Sequence, residues 1–176
     1  QAIAECKRLK LSVLPPSVNH ADSEFTIENK RDIRFGLSAI KNVGSAAISA
    51  ILESREERPF VSIVDFVARV DTSKVNKKTL ESLIKAGAAD EFGNRASLLT
   101  SLPEIMAKAG RKPKKDQKQE QFSLFGDEEE EQTLPTIQLQ NVEEFTQQEK
   151  LMFERELLGF FLTDHPCENF PLTSLP

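Results

Sequence analysis

The sequence predicts a mainly α-helical chain with one small β-hairpin near its start, a disordered linker and a closing helix. Three observations predict it. Apolar residues recur at helical spacing through most of the first 110 positions. They alternate with polar residues at 25–27 and again at 33–35, on either side of a polar stretch. Between residues 110 and 140, long charged runs leave almost nothing to bury.

The elements follow in order. Ile3, Cys6 and Leu9 share one face of a short opening helix, which Leu14-Pro15-Pro16 stops because proline cannot continue the hydrogen-bond ladder. Phe25-Thr26-Ile27 and Ile33-Arg34-Phe35 read as the two arms of a hairpin around Glu28–Asp32. Ala47, Ile48, Ile51 and Leu52 form a helical stripe that ends near Arg58-Pro59. Ser62, with Asp65 three residues later, starts the next helix as a capping pair. Asn76 is an N-cap for the helix through Leu80, Leu83 and Ile84, and Asn94 for the one through Leu98, Leu102 and Ile105. Residues 1–109 thus make one compact domain. Residues 110–140 form the linker, its basic run Arg111–Lys118 and acidic run Asp127–Glu131 both self-repelling. A helix resumes near Glu143, runs to about Leu158 and breaks at Gly159, so 141–176 reads as a helical connector.

Charge divides the chain. The net charge is −5, yet residues 1–118 carry 21 Lys and Arg against 15 Asp and Glu, whereas 119–176 carry 2 against 13. That split predicts a basic module suited to a polyanion, followed by an acidic arm. The longest apolar run, Leu157–Leu162, is far short of the ~20 residues a membrane span needs. Cys6 and Cys167, far apart, fit a reducing, cytoplasmic setting better than a disulfide framework or a metal site. The start of the chain, which has no initiator Met, reads as an excerpt from a longer protein. No Asp-x-Asp pair, paired histidines, phosphate loop or nucleophile elbow occurs, and the glutamate runs fall on the linker or on helix surfaces, so no catalytic residue, metal site or cofactor is expected in this segment.

Two constellations carry the functional expectation. In the first, Leu37-Ser38-Ala39-Ile40 leads into Lys41-Asn42-Val43-Gly44-Ser45 and then a helix with small opening residues. A short helix, a tight turn at Val43-Gly44 and a second helix resemble a helix-hairpin-helix motif. Gly44 is expected to let the backbone swing. Free N–H groups at the start of the following helix, with Lys41 beside them, would hold a phosphate. Such contacts position DNA without reading its sequence. Asn42 stands where the motif commonly has its first glycine, and asparagine tolerates the left-handed region. A second unit, with Lys85, Gly87 and Ala88 after the Leu80–Ile84 helix, suggests a pseudo-symmetric partner and a second phosphate clamp; Gly87 as a plain helix stop is the alternative.

The second constellation is Gln121-Phe122-Ser123-Leu124-Phe125, an apolar pentapeptide between charged runs. It resembles the peptide by which bacterial replication proteins bind the sliding clamp, with Leu124 and Phe125 in an apolar pocket, and Gln121 bonding at its rim. A local cluster docking on its own domain is the alternative.

Together these words, with Val13-Leu14-Pro15-Pro16-Ser17-Val18-Asn19, Ile33-Arg34-Phe35-Gly36-Leu37, Val75-Asn76-Lys77-Lys78 and Glu156-Leu157-Leu158-Gly159-Phe160-Phe161-Leu162, resemble the alpha subunit of bacterial DNA polymerase III beyond its fingers. The resemblance implies a tandem helix-hairpin-helix domain that grips duplex DNA, then an internal clamp peptide, then a helix leading toward an oligonucleotide-binding domain. It implies a sliding clamp and other replicase subunits as partners, with the Mg²⁺-dependent chemistry in a palm that matches nothing here. Two weak attachments joined in one chain would raise each other's effective concentration, a gain of ~10² or more. A repair or recombination factor built from the same parts, and a protein-only scaffold, are the rival readings.

Overall fold

The computed structural model describes residues 6, 8–109 and 137–162. Three short strands come first: β1 (Ser12–Leu14), β2 (Thr26–Glu28) and β3 (Asp32–Arg34). Four helices follow: α1 (Ser45–Glu57), α2 (Ile63–Arg69), α3 (Lys77–Lys85) and α4 (Arg95–Ala109). Helix α5 (Gln147–Leu157) lies after the gap. The expected mainly helical fold with a small sheet near its start is what the chain adopts.

The sheet order is β1-β3-β2, with β2 antiparallel and β1 parallel to β3. The hairpin is the expected one, closed by a turn whose Asn29 and Lys30 take positive φ. Strand β1 corrects the reading of Leu14-Pro15-Pro16 as a helix stop. Val13 pairs with Ile33, twenty positions away, and the prolines end a strand because neither can donate to a ladder. Of the opening helix, Cys6 and Arg8 are helical and residues 1–5 and 7 lie outside the described residues; Leu9, expected on its buried face, is exposed in a turn.

Local chemistry places the helix starts. Ser62 Oγ accepts from Asp65 N at 3.1 Å, Asn76 Oδ1 from Thr79 N at 3.0 Å and Asn94 Oδ1 from Ser97 N at 2.6 Å. Each cap satisfies one of the helix's orphan donors. Helix α5 begins at Gln147 rather than near Glu143, because Thr146 and Glu149 close a reciprocal capping box.

One core gathers Phe35, Leu37, Ile40, Ile51, Phe66, Leu80, Leu98 and Ile105, and Leu157, Leu158 and Leu162 of the closing segment belong to it too. The closing helix is therefore packed on the helical domain. Residues 137–146 are in neither helix nor strand and strap it to α4. Gln140 N donates to Ser101 Oγ at 2.9 Å and Val142 N to Ser97 Oγ at 3.1 Å. Asn94 Nδ2 donates to Val142 O at 3.1 Å. Residues 137–140, expected in the linker, belong to this strap. No helix among the described residues is long and apolar enough to cross a membrane.

Candidate nucleic-acid interface

The first hairpin runs from Gly36 through a 3-10 turn at Leu37–Ala39 to the start of α1. Its bend is at Asn42, where φ is 67°, not at Gly44, whose φ of −83° and ψ of 162° any residue adopts. The expected conformational role of Gly44 is thus corrected. The left-handed asparagine is held from both ends of its residue: Thr79 Oγ1 donates to Asn42 O at 3.1 Å, and Asn42 Nδ2 donates to Ser82 Oγ at 3.2 Å. Val43 is buried, and Lys41 N donates to Leu157 O of α5 at 3.0 Å. Thr79, Ser82 and Leu157 are therefore part of what holds the hairpin. No spacing in the sequence announces them, since they arrive from 37 and 40 positions away or more.

What the turn presents is a set of donors. Ala47 N and Ile48 N are both bonded to Gly44 O at 3.0 Å, the first rungs of α1. Among the described residues, the amides of Gly44, Ser45 and Ala46 have no acceptor, and all three residues are exposed. Gly44, the N-cap, has no side chain to cap them, and no acidic residue stands in the first turn. A Cβ at Gly44 would meet nothing within 4 Å. Nothing in the fold requires glycine there; its effect is to leave the amides uncovered. Lys41 is exposed, and its ammonium has no partner among the described residues. Free N–H groups, the positive end of a 13-residue helix and an adjacent cation favour an anion such as a phosphate oxygen.

The second unit is built differently. Gly87, with φ 86°, and Ala88 end α3 in a Schellman motif: Gly87 N donates to Ile84 O at 3.0 Å and Ala88 N to Leu83 O at 2.9 Å. Both residues are buried, so their amides are consumed inside the fold. Arg95 lies across Gly87 and donates to Lys85 O at 2.9 Å and to both carboxylate oxygens of Asp90, at 2.8 and 2.7 Å. Lys85 stands over the Phe153 ring, 5.4 Å from its centre. The helix-stop alternative describes Gly87, and the second clamp expected of Lys85, Gly87 and Ala88 has no free amide to work with.

The start of α4 is also filled. Glu144 of the strap accepts from Arg95 N and Ala96 N, each at 3.2 Å, and from Phe145 N at 2.9 Å, with Lys150 Nζ 3.0 Å away. Burial opposes its ionisation, but the hydrogen bonds from Phe145, Lys150, Arg95 and Ala96 outweigh it and hold the carboxyl below the usual range. A group depressed in this way stabilises the fold above the ordinary glutamate range and loses that effect as pH falls through its folded value. Glu144→Gln is therefore expected to lower stability by about 1 kcal/mol at neutral pH. The gap between the two melting temperatures should close on acidification; an unchanged gap at pH 3 would remove the ionised cap.

Gln121, Ser123, Leu124 and Phe125 lie outside the described residues.

A family model described as a helix-hairpin-helix motif matches residues 10–98. The chain is also similar to DNA polymerase III subunit alpha of several bacteria. It is 41% identical to that of Campylobacter jejuni over 171 residues, 96% of this chain and 14% of the relative. The corresponding figures for Thermus aquaticus are 40% over 170 residues, 96% and 13%. For Bacillus subtilis they are 39% over 179 residues, 97% and 15%. Almost the whole chain is matched, and it spans about a seventh of each relative's length.

Proposed function

The chain belongs to the helix-hairpin-helix family, and on that premise we propose that it is the duplex-gripping segment of a replicative DNA-directed DNA polymerase. The supporting observation is the exposed start of α1, where three unbonded amides stand beside Lys41 with no acidic residue in the turn. Lys41, Asn42, Val43, Gly44 and Ser45 form the grip, and it holds the sugar–phosphate spine without reading bases. Similarity to the polymerase subunits supports placing this grip in a replicase. Nucleotide addition and its Mg²⁺ are assigned to the parent enzyme's palm, outside the residues present here.

The peptide Gln121-Phe122-Ser123-Leu124-Phe125 tethers the same chain to a sliding clamp, a reading supported by its glutamine and its Leu-Phe pair in a charged setting. A weak hold on the duplex and a weak hold on the ring around it reinforce one another through effective concentration.

One experiment separates the two attachments. Gly44→Asp supplies a good helix N-cap, which should raise stability by a few tenths of a kcal/mol. Its carboxylate also covers the free amides and repels phosphate, so duplex affinity at low salt should fall about tenfold. Paired Leu124→Ala and Phe125→Ala changes should abolish binding to a loaded clamp and leave duplex affinity as it was. Duplex affinity unchanged in Gly44→Asp would remove the grip, and clamp binding unchanged in the double variant would remove the tether.

A further inference from the structure

Most cations of the described residues are already engaged. Arg34 pairs with Glu28, Arg55 with Asp22, Arg58 and Arg69 with Asp65, and Arg95 with Asp90. Lys74, Lys77, Lys108 and Lys150 face Asp71, Glu81, Glu104 and Glu144. Lys85 covers Phe153, and Arg8 has a partner as well. Among the described residues six side-chain cations remain without one. Lys10, Lys30 and Arg31 are grouped about the sheet, where Arg31 O accepts from Ser12 N at 3.0 Å. The other three are Lys41, Lys78 and Arg155, all exposed.

Those three come from distant parts of the chain and are stitched to one turn. Lys78 precedes Thr79, whose hydroxyl is 3.1 Å from Asn42 O, and Asn42 follows Lys41. Arg155 stands two residues before Leu157, whose carbonyl accepts from Lys41 N at 3.0 Å. Helix α3, which carries Lys78, and α5, which carries Arg155, thus both bond to the first hairpin. Two of the neighbouring carboxylates are already engaged: Glu81 is taken by Lys77, and Glu154 is buried, its Oε2 bonded to Leu162 N at 2.6 Å. Glu156 is exposed beside Arg155 and makes no ion pair among the described residues.

We infer that Lys41, Lys78 and Arg155 form one composite basic surface that follows the phosphate backbone past the hairpin. In the sequence Lys78 belongs to the word Val75-Asn76-Lys77-Lys78 and nothing singles out Arg155; only the packing of α3 and α5 on the hairpin links them. The inference rests on the reading of the hairpin as a duplex grip. It extends that grip from one phosphate to several on the same strand, and it makes α5 part of the DNA-facing surface. Long cationic side chains that reach phosphates add salt-dependent affinity and no base preference.

The test is the salt dependence of binding between the whole chain and a 20-base-pair duplex of mixed sequence, read by fluorescence anisotropy. Neutralising one phosphate contact flattens the plot of log affinity against log salt by about 0.9. Lys41→Gln, Lys78→Gln and Arg155→Gln should each do so, keeping about 3.5-fold more of their affinity than the unaltered chain across a fourfold rise in salt. Lys108→Gln removes the same charge from α4, where the ammonium is held by Glu104 at 2.6 Å, and should leave the slope alone. Slopes unchanged in Lys78→Gln and Arg155→Gln but flattened in Lys41→Gln would overturn the composite surface and leave the hairpin grip standing. No change in any of the three would overturn both. Equal flattening in Lys108→Gln would mark an effect of net charge and overturn the surface.

Discussion

Replacing Asp65 with alanine is expected to destabilise the fold by about 3–5 kcal/mol, the range for removing one partner of a buried charge network. Asp65 is completely buried. Its carboxylate accepts from Arg58 Nη2 at 2.9 Å and Nη1 at 3.1 Å, from Val61 N at 3.1 Å and from Arg69 Nη1 at 3.3 Å. Arg69 is itself largely buried against Phe60 and also donates to the carbonyls of Ser54 and Arg58. Without the carboxylate, its charge is left inside the protein with only neutral oxygens to answer it. Arg58 is half exposed, so water replaces much of what Arg58→Ala removes, and its cost is expected to stay near 1 kcal/mol. Denaturant melts of the two variants check the contrast. Near-equal, small losses would mean that the carboxylate does not hold the junction of α1 and α2.

Gly36→Ala is expected to cost about 3 kcal/mol and to weaken duplex binding as well. The backbone at Gly36 is ordinary, with φ −73°, so the penalty is one of space. An added Cβ would lie 2.5 Å from the carbonyl carbon of Glu24, 2.6 Å from Ser23 O and 2.8 Å from Glu24 Cα. All three are backbone atoms, which cannot swing aside as a side chain can. Moving that segment away breaks Leu37 N to Asp22 O and Ser38 N to Ser23 O, both 2.9 Å, which set the entry to the hairpin. The same change at Gly44 meets nothing within 4 Å, and its effect on stability should stay at or below about 1 kcal/mol. Thermal melts of the two alanine variants give the comparison; equal melting temperatures would defeat it.

Much of the local architecture was legible because its causes are local. Ser62, Asn76 and Asn94 are caps whose acceptor and donor lie three residues apart, so the one-dimensional pattern contains the whole interaction. The β2–β3 hairpin was readable for the same reason. Strand β1 was not, because three residues carry little periodicity and the partner strand is remote. The closing helix was placed four residues early, since Glu143 extends the polar pattern while the capping box sits at Thr146.

At the candidate site the division is sharper. Two glycines in similar settings, Gly44 and Gly87, read alike as phosphate-gripping bends. In the fold, one stands exposed in an ordinary conformation over free amides, and the other is buried in a left-handed helix stop under Arg95. Which glycine faces solvent depends on what the fold places above it, as Arg95 of α4 lies over Gly87, and that is not encoded within a few residues of the glycine.

The sequence by itself determined the helix stripes, the caps, the basic-then-acidic division and the hairpin with its Lys41 and Gly44. Each follows from chemistry between neighbours along the chain. Only the tertiary structure decided that Asn42 makes the bend, that Glu144 fills the start of α4, and that α3 and α5 bond to the hairpin turn. Those outcomes depend on hydrogen bonds and packing between residues roughly 40 to 115 positions apart, whose proximity comes from burying one shared core rather than from any spacing in the chain.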